Sequence, residues 1–279
     1  MNLRKPVLPA AAGVLALGLA LTACGSGTDS AGSGGADDTL VVGATPVPAG
    51  EVLTYIKDDL AEKAGLKLEI KEFTDYVLPN TALQEGSLDA NLYQHEPYLK
   101  DFNESKGTDL VAVAPVYLPP LGVYSKKVTD VAELADGATV ALPNDTTNEA
   151  RALELLAAEG VISLKDGAGA HASPADIAKN PRNLTFKELE PAQLPRSLDD
   201  VDAAVINNNY AQDAGLSPAK DAILLESAKD NPYTNVLAVK RGNEDDPRVE
   251  KLVKLLGSAE VKKFIEDEYE GSVLPVASG

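Results

Sequence analysis

The sequence predicts an α/β protein built from two successive units that flank a cleft. Three observations carry that expectation. Short apolar runs alternate with segments of helical spacing from Thr39 onward, and strands alternating with helices imply a mostly parallel sheet with helices packed on it. The Pro- and Gly-rich stretch Leu118–Tyr124 (LPPLGVY) interrupts the alternation, which then restarts. About 240 residues after the N-terminal region suffice for one large domain or two smaller ones.

The elements follow in order. Leu40-Val41-Val42-Gly43-Ala44 reads as a buried strand. Val52, Leu53, Ile56, Leu60 and Ala64 share one helix face, and Gly65 stops that helix. Leu66 to Phe73 alternates as a strand. Asp75 is placed to cap a helix that ends at Gly86. Strands are expected at Asp89 to Tyr93 and Leu110 to Val116, with a helix from Pro97 to Lys106 between them. Beyond the Pro/Gly crossing, strands are expected at Thr139 to Leu142, Thr185 to Leu189, Ala203 to Ile206, Ala222 to Leu225 and Asn235 to Val239. Helices are expected at Asn148 to Ala158, ending at Gly160, and at Asn208 to Ala214. The chain closes on one long helix, Pro247 to Tyr269, with Leu252, Val253, Leu255, Leu256, Val261, Phe264 and Ile265 on its apolar face. No 20–50-residue repeat is visible, which argues against a solenoid. In open α/β sheets ligands sit at the carboxyl ends of strands, and a cleft between two such units suits a small molecule.

The N-terminus carries a separate message. Arg4-Lys5 precede a charge-free apolar run from Val7 to Ala20, then Leu21-Thr22-Ala23-Cys24 and Gly25-Ser26-Gly27. That is the layout of an export signal. The run falls short of the roughly 20 residues that span a bilayer. Cys24 is the single cysteine in the chain, and its position resembles the acylated cysteine of bacterial lipoproteins. The resemblance implies cleavage of residues 1–23 and lipidation of Cys24. Residues 25–38 are Gly/Ser-rich, a flexible tether with a root-mean-square reach of roughly 20 Å.

Composition narrows the function. Without residues 1–23 the chain has 23 basic and 43 acidic residues, a net charge of −20. This argues against nucleic acid, which needs clustered positive charge. A single cysteine permits no intramolecular disulfide, and two histidines leave little from which to build a metal site. Catalytic signatures fail in turn. His95-Glu96 opens like a zinc-protease helix, but position 99 is Leu, so HExxH is absent. Neither a G-x-S-x-G elbow nor a phosphate-binding G-x-x-x-x-G-K-[ST] loop occurs. Paired acids such as Asp199-Asp200 and Asp245-Asp246 sit in polar loop contexts. No cofactor is implied, and the reading is not an enzyme.

What remains is a set of polar and aromatic residues near strand ends in both units: Tyr76, Tyr93 and His95 in the first, and Asn144, Thr147, Asn148, Arg151, Asn207, Asn208, Asn209, Tyr233 and Asn235 later. Singly, each has a plain structural explanation. Asn after a strand makes turns, Asn148 can cap a helix, His95 can be a satisfied structural residue, and Arg151 can pair with Glu154 along a helix. Their clustering at strand ends favours a binding site.

The segments VGATP, EFTDYVLPN, DANLYQHEPYL, LPNDTTNEARAL, AQLPRSLDDVDAAVIN and NPYTNVLAVK resemble the NlpA-type methionine-binding lipoproteins, the substrate-binding subunits of methionine ABC importers. The resemblance runs from about Val41 to the C-terminal helix. It implies a type II periplasmic-binding-protein-like fold, with lobe 1 in residues 39–122 and 237–279, lobe 2 in residues 123–236, and a hinge that closes both on the ligand. It further implies that Arg151 binds the ligand carboxylate through its guanidinium fork, that Asn207 and Asn235 accept from the α-ammonium, that Asn148 helps hold the zwitterion, and that Tyr76, Tyr93 and His95 line the side-chain pocket. Expected partners are L-methionine, an ABC permease with its ATPase subunit, and the membrane reached through the lipid anchor; the protein is expected to be a monomer on the extracytoplasmic face. Three positions depart from the family's habit: Tyr93 where Phe is common, Thr146 where Pro is common and Ala150 where Gly is usual. Tyr93 could add a hydroxyl to the pocket. Two alternatives stay open: the same fold binding another apolar or sulfur amino acid or a methionine-containing dipeptide, and a surface adhesion or signalling lipoprotein.

Overall fold

The computed structural model describes residues 38–276; Cys24, the export signal and nearly all of the tether lie outside them. Two mixed sheets organise the chain. The first contains β1 (Thr39–Ala44), β2 (Lys67–Glu72), β3 (Ala90–His95), β4 (Leu110–Leu118), β12 (Asn235–Lys240) and β13 (Leu274–Pro275), in the order β13-β4-β12-β3-β1-β2. The second contains β5 (Gly122–Tyr124), β6 (Thr139–Pro143), β9 (Thr185–Leu189), β10 (Ala203–Ile206) and β11 (Leu224–Leu225), in the order β11-β5-β10-β6-β9. A small hairpin pairs β7 (Ser163–Leu164) with β8 (Ile177–Lys179).

The sheets are less parallel than the alternation of elements suggests. β1 pairs parallel with β2 and β3, and β6 with β9 and β10. The remaining pairings within the two sheets are antiparallel. The cause is the path of the chain. β4 leaves the first sheet, Leu118–Gly122 crosses to the second, and the chain returns as β12, which runs antiparallel between β3 and β4. Each crossing delivers a strand in the reverse sense.

Two layers of apolar side chains cover each sheet. On one face of the first, Leu40, Val42 and Leu92 are fully buried against Val52 and Leu53 of α1 (Glu51–Tyr55), which continues as a wider turn over Ile56–Leu60. Leu252 of α8 (Pro247–Leu256) and Val261 and Ile265 of α9 (Ala259–Tyr269) complete that layer. On the other face α2 (Leu78–Glu85) and α3 (Glu96–Lys106) bring Leu83, Tyr98, Leu99 and Phe102 against Tyr93 and Val236. In the second sheet Val140, Leu142 and Val205 pack on Leu153 and Leu156 of α4 (Thr146–Ala158). Its opposite face meets Leu194 of α5 (Leu194–Ser197) and Tyr210 of α6 (Asn208–Asp213). α7 (Pro218–Asp221) completes the set. Burial of each large aliphatic side chain stabilises the fold by about 1.5–3 kcal/mol.

Local chemistry explains most boundaries. Asp75 Oδ1 accepts from the backbone N–H groups of Val77 and Leu78 at 2.8 Å and so organises the turn leading into α2, although the N-cap position itself is Val77, not Asp75. Gly86 ends that helix at φ 80°, a left-handed conformation that glycine adopts without penalty. Two expectations are corrected. The closing helix is two helices: α8 stops at Gly257, and the Ser258 hydroxyl accepts from Val261 N at 3.3 Å to start α9. The apolar face shifts at this break: buried Leu252 and Leu256 lie four residues apart, Val261 follows five residues later, and Ile265 resumes the four-residue step. The cap of α4 is Asp145 and not Asn148: Asp145 Oδ1 accepts from Asn148 N at 3.1 Å, so the helix begins two residues earlier.

Candidate functional site

The carboxyl ends of strands from both sheets meet around one cavity of about 390 Å³, counting all space between its atoms and including that open to solvent. All seven residues singled out as candidate ligand contacts border it: Tyr76, Tyr93, His95, Asn148, Arg151, Asn207 and Asn235. Each arrives by a definite route. Tyr93 and His95 end β3, Asn235 opens β12 beside them, Asn148 and Arg151 occupy the first turns of α4, and Asn207 stands between β10 and α6.

His95 does two jobs at once. Its Nδ1 accepts from Tyr98 N at 3.1 Å and so caps α3. A backbone N–H at Nδ1 leaves the ring hydrogen on Nε2, which donates to Asn148 Oδ1 at 3.2 Å. Burial, with the Arg151 cation beside it, pushes the His95 pKa down to about 3. The imidazole is therefore neutral across the physiological range.

Both ends of the Asn148 amide are engaged, with one Nδ2 hydrogen left over. Its Oδ1 accepts from His95 and, at 2.8 Å, from Asn207 Nδ2, while its own Nδ2 donates to Asp145 Oδ1 at 2.8 Å. The amide thus links the two sheets across the cavity floor. Asn207 Oδ1 is buried and has no hydrogen-bond partner among the described residues. Asn235 Nδ2 donates to the Tyr93 carbonyl at 2.9 Å, which leaves its Oδ1 as the acceptor end.

Arg151 is almost fully buried, and its partner differs from the neighbour that helix spacing offers. Nε donates to Glu226 Oε1 at 2.8 Å and Nη2 donates to Glu226 Oε2, a bidentate pair; Nη2 also donates to the Pro119 carbonyl at 3.1 Å. Glu154 instead accepts from the Tyr233 hydroxyl at 3.0 Å. The guanidinium carbon lies 4.3 Å from the centre of the Tyr233 ring, a cation–π contact. The fork edge expected to face a ligand carboxylate is therefore occupied by Glu226. Nη1 is the guanidinium nitrogen without a partner among the described residues.

An aromatic wall closes the other side. Tyr76 lies 5.9 Å from Tyr93, 5.8 Å from Tyr98 and 5.0 Å from Tyr210, centre to centre. Burial raises the phenol pKa of Tyr76, Tyr93 and Tyr98 above its usual range, so these rings stay neutral. The Tyr93 hydroxyl, expected as a possible polar addition to the pocket, donates to the Tyr76 carbonyl at 2.8 Å. Tyr76 and Tyr210 also fasten the two sheets' layers together: Tyr76 donates to Asn209 Oδ1 at 2.5 Å, and Tyr210 donates to the Thr74 carbonyl at 3.1 Å.

Sequence reasoning missed several contributors. Tyr98 and Pro119 line the cavity, and Glu226 holds Arg151. A buried amide network of Asn80, Asn91 and Gln94, with contacts of 2.7–2.9 Å, ties α2 to β3 beneath the aromatic wall. The run Asn91-Leu92-Tyr93-Gln94 on a wholly buried strand was the available signal, because buried amides need partners.

Comparison with known proteins gives a consistent picture. The family profile described as NlpA lipoprotein matches residues 40–277. The chain is 43% identical over 267 residues, 95% of its length and 96% of the relative's, to the D-methionine-binding lipoprotein MetQ of Escherichia coli (strain K12). It is 41% identical over 235 residues, 84% of this chain and 87% of the relative, to membrane lipoprotein TpN32 of Treponema pallidum. Among solved structures, a nutrient binding protein from Burkholderia cenocepacia bound to methionine superposes with a TM-score of 0.83 at 48% identity, covering 86% of this chain and all of that one.

Proposed function

The chain belongs to the NlpA lipoprotein family, and we propose that it captures methionine in the cavity between its two sheets and delivers it to an ABC permease driven by a separate ATPase subunit. The observation that carries this reading is the pairing of opposite groups in one buried cavity. Arg151 offers a cationic donor through Nη1, Asn207 Oδ1 offers a buried acceptor without a partner, and an aromatic wall stands beside them. A buried acceptor of this kind costs about 1–3 kcal/mol unless it is satisfied, so it favours a ligand that brings N–H donors. Polarizable sulfur at ring edges gains roughly 0.3–1.5 kcal/mol, which suits a thioether against Tyr76, Tyr93 and Tyr98.

In this reading the α-carboxylate meets Arg151 Nη1, and Asn207 and Asn235 accept from the α-ammonium. Asn148 acts by holding His95 and Asn207 in place. Methionine-binding relatives favour this ligand over another apolar amino acid, a dipeptide or an adhesion role. No helix among the described residues is long and apolar enough to cross a membrane. The proposed attachment is the acylated Cys24 with residues 25–38 as tether, holding a monomer on the extracytoplasmic face whose lobes divide near residues 122 and 236. Turnover chemistry forms no part of the proposal.

A thermal-shift screen of the protein against all amino acids tests it. Ligand at about 1,000 times its dissociation constant stabilises the fold by about 4 kcal/mol, so methionine should raise Tm by several degrees. Arg151→Ala should abolish that shift. Absence of a shift with either methionine enantiomer would sink the assignment.

A further inference from the structure

Arg151 is the single charged residue among those that line the cavity. Three of its five N–H bonds are directed away from a ligand: one from Nε and one from Nη2 to Glu226, and one from Nη2 to Pro119. Glu226 itself does not line the cavity. Its side chain is 11% exposed, and it is held from behind. Oε2 accepts from Leu121 N at 3.1 Å, and the Glu226 N–H donates to the Leu121 carbonyl at 2.9 Å. The carboxylate is thus a fixed counter-charge on the far side of the guanidinium.

The rest of the wall adds no net charge. His95 is neutral, the tyrosines are neutral phenols, and the other polar liners are amides. Asp145 stands one layer behind Asn148 at the start of α4, where its negative charge faces the positive end of the helix. Glu154 is tied to the Tyr233 hydroxyl. Arg151 and Glu226 therefore cancel as a pair, so the side chains lining the cavity present no unbalanced cation before a ligand enters. Burying a net charge in such a place is costly, whereas a compact zwitterion adds none.

We propose that Glu226 sets the charge class of the ligand: by neutralising Arg151 from the side away from the cavity, it makes the site prefer solutes carrying an ammonium and a carboxylate together over carboxylates without the ammonium. An Arg151 without this counter-ion would hold any carboxylate of suitable shape. Glu226 acts through Arg151 and is a positioning and charge-setting residue. The proposal rests on the reading that the cavity takes methionine.

The test is calorimetry on the full-length chain in detergent with three ligands of matched side chain: methionine, 2-hydroxy-4-(methylthio)butanoate, which replaces the ammonium by a hydroxyl, and methioninamide, which lacks the carboxylate. The wild type should bind both analogues about 100-fold more weakly than methionine, equivalent to about 2.7 kcal/mol. Glu226→Gln keeps an oxygen for the guanidinium but removes the charge. It should weaken methionine roughly tenfold and strengthen the hydroxy acid roughly tenfold, narrowing their ratio about 100-fold. Glu226→Asp should keep the wild-type ratio within about threefold, since it keeps the charge. Equal weakening of all ligands by Glu226→Gln would mean that Glu226 is only a structural anchor, and would overturn the proposal. So would a wild type that holds the hydroxy acid as tightly as methionine, a measurement that needs no variant. A wild type that binds none of the three removes the methionine reading together with the proposal. Methionine binding with an unmoved ratio removes the proposal alone.

Discussion

The Tyr93 hydroxyl sits 2.8 Å from the Tyr76 carbonyl, and the Tyr98 hydroxyl reaches the same oxygen at 3.0 Å. The Tyr93 hydroxyl is therefore committed to the backbone of the cavity wall and not offered to a ligand. Tyr93→Phe should lower stability by about 1 kcal/mol, the net worth of one hydrogen bond whose acceptor keeps a second donor. It should leave methionine affinity within about threefold. Denaturant midpoints and calorimetry decide, and a tenfold change in Kd would contradict the geometry. At this scale the sequence was informative about which side chains gather and silent about what each bonds to. Strand-end position singled out His95, Asn148 and Asn207, and all three border the cavity. Glu226 was hidden because it lies 75 residues from Arg151 and is one of 43 acids, with no local pattern to mark it.

Helix α4 carries two of the cavity residues, and its first turn concentrates acidic groups. Asp145 caps it, and Glu149 follows with Oε1 buried and unpartnered among the described residues. Burial, then the nearby Glu188 and Asp145 carboxylates, push the Glu149 pKa up to about 7. A carboxyl whose folded pKa exceeds its unfolded value near 4.5 favours folding while protonated. That contribution is full below about pH 4.5 and is lost as pH rises through about 7. Glu149→Gln should therefore raise stability at pH 8 and change it little at pH 4, measured as Tm across that range; an equal gain at both would rule out titration as the cause. Among elements, those with sustained periodicity were legible, including α2 and the strands β1, β6, β9 and β10. The two- and three-residue strands β5, β7, β8 and β13 carry too few residues to show a period, whereas β11 falls inside the strand expected at Ala222 to Leu225. The Gly257-Ser258 break does leave a mark in the sequence, a five-residue step from Leu256 to Val261 between two otherwise regular apolar faces.

Across the whole molecule, the two crossings meet at Arg151: Pro119 belongs to the outgoing crossing and Glu226 to the returning one, and the guanidinium bonds to both. β12, delivered by the returning crossing, lies between β3 and β4 and donates its whole length to the first sheet. The pieces of that sheet are therefore not independent. A fragment of residues 38–118 should lack cooperative folding, because β3 and β4 would each expose an unpaired edge where β12 belongs. Addition of residues 235–276 in trans should restore some structure, read by circular dichroism and amide exchange. A fragment 38–118 with a sharp thermal transition of its own would refute this. The α/β class and the two-unit layout were legible from alternation and the Pro/Gly interruption. The mixed sense of the sheets was not, since strand direction is set by the crossings, which involve residues far apart in the chain.

The seating of β12 also bears on how the protein is made. Between Leu118 and Asn235 the ribosome must add 116 residues, which at about 5–20 residues per second takes on the order of 10 seconds. Throughout that interval the N-terminal third of the nascent chain lacks the strand that completes its sheet. On the proposed route to the extracytoplasmic face the chain must stay threadable until it has crossed the membrane, and the timetable of synthesis itself would postpone the fold.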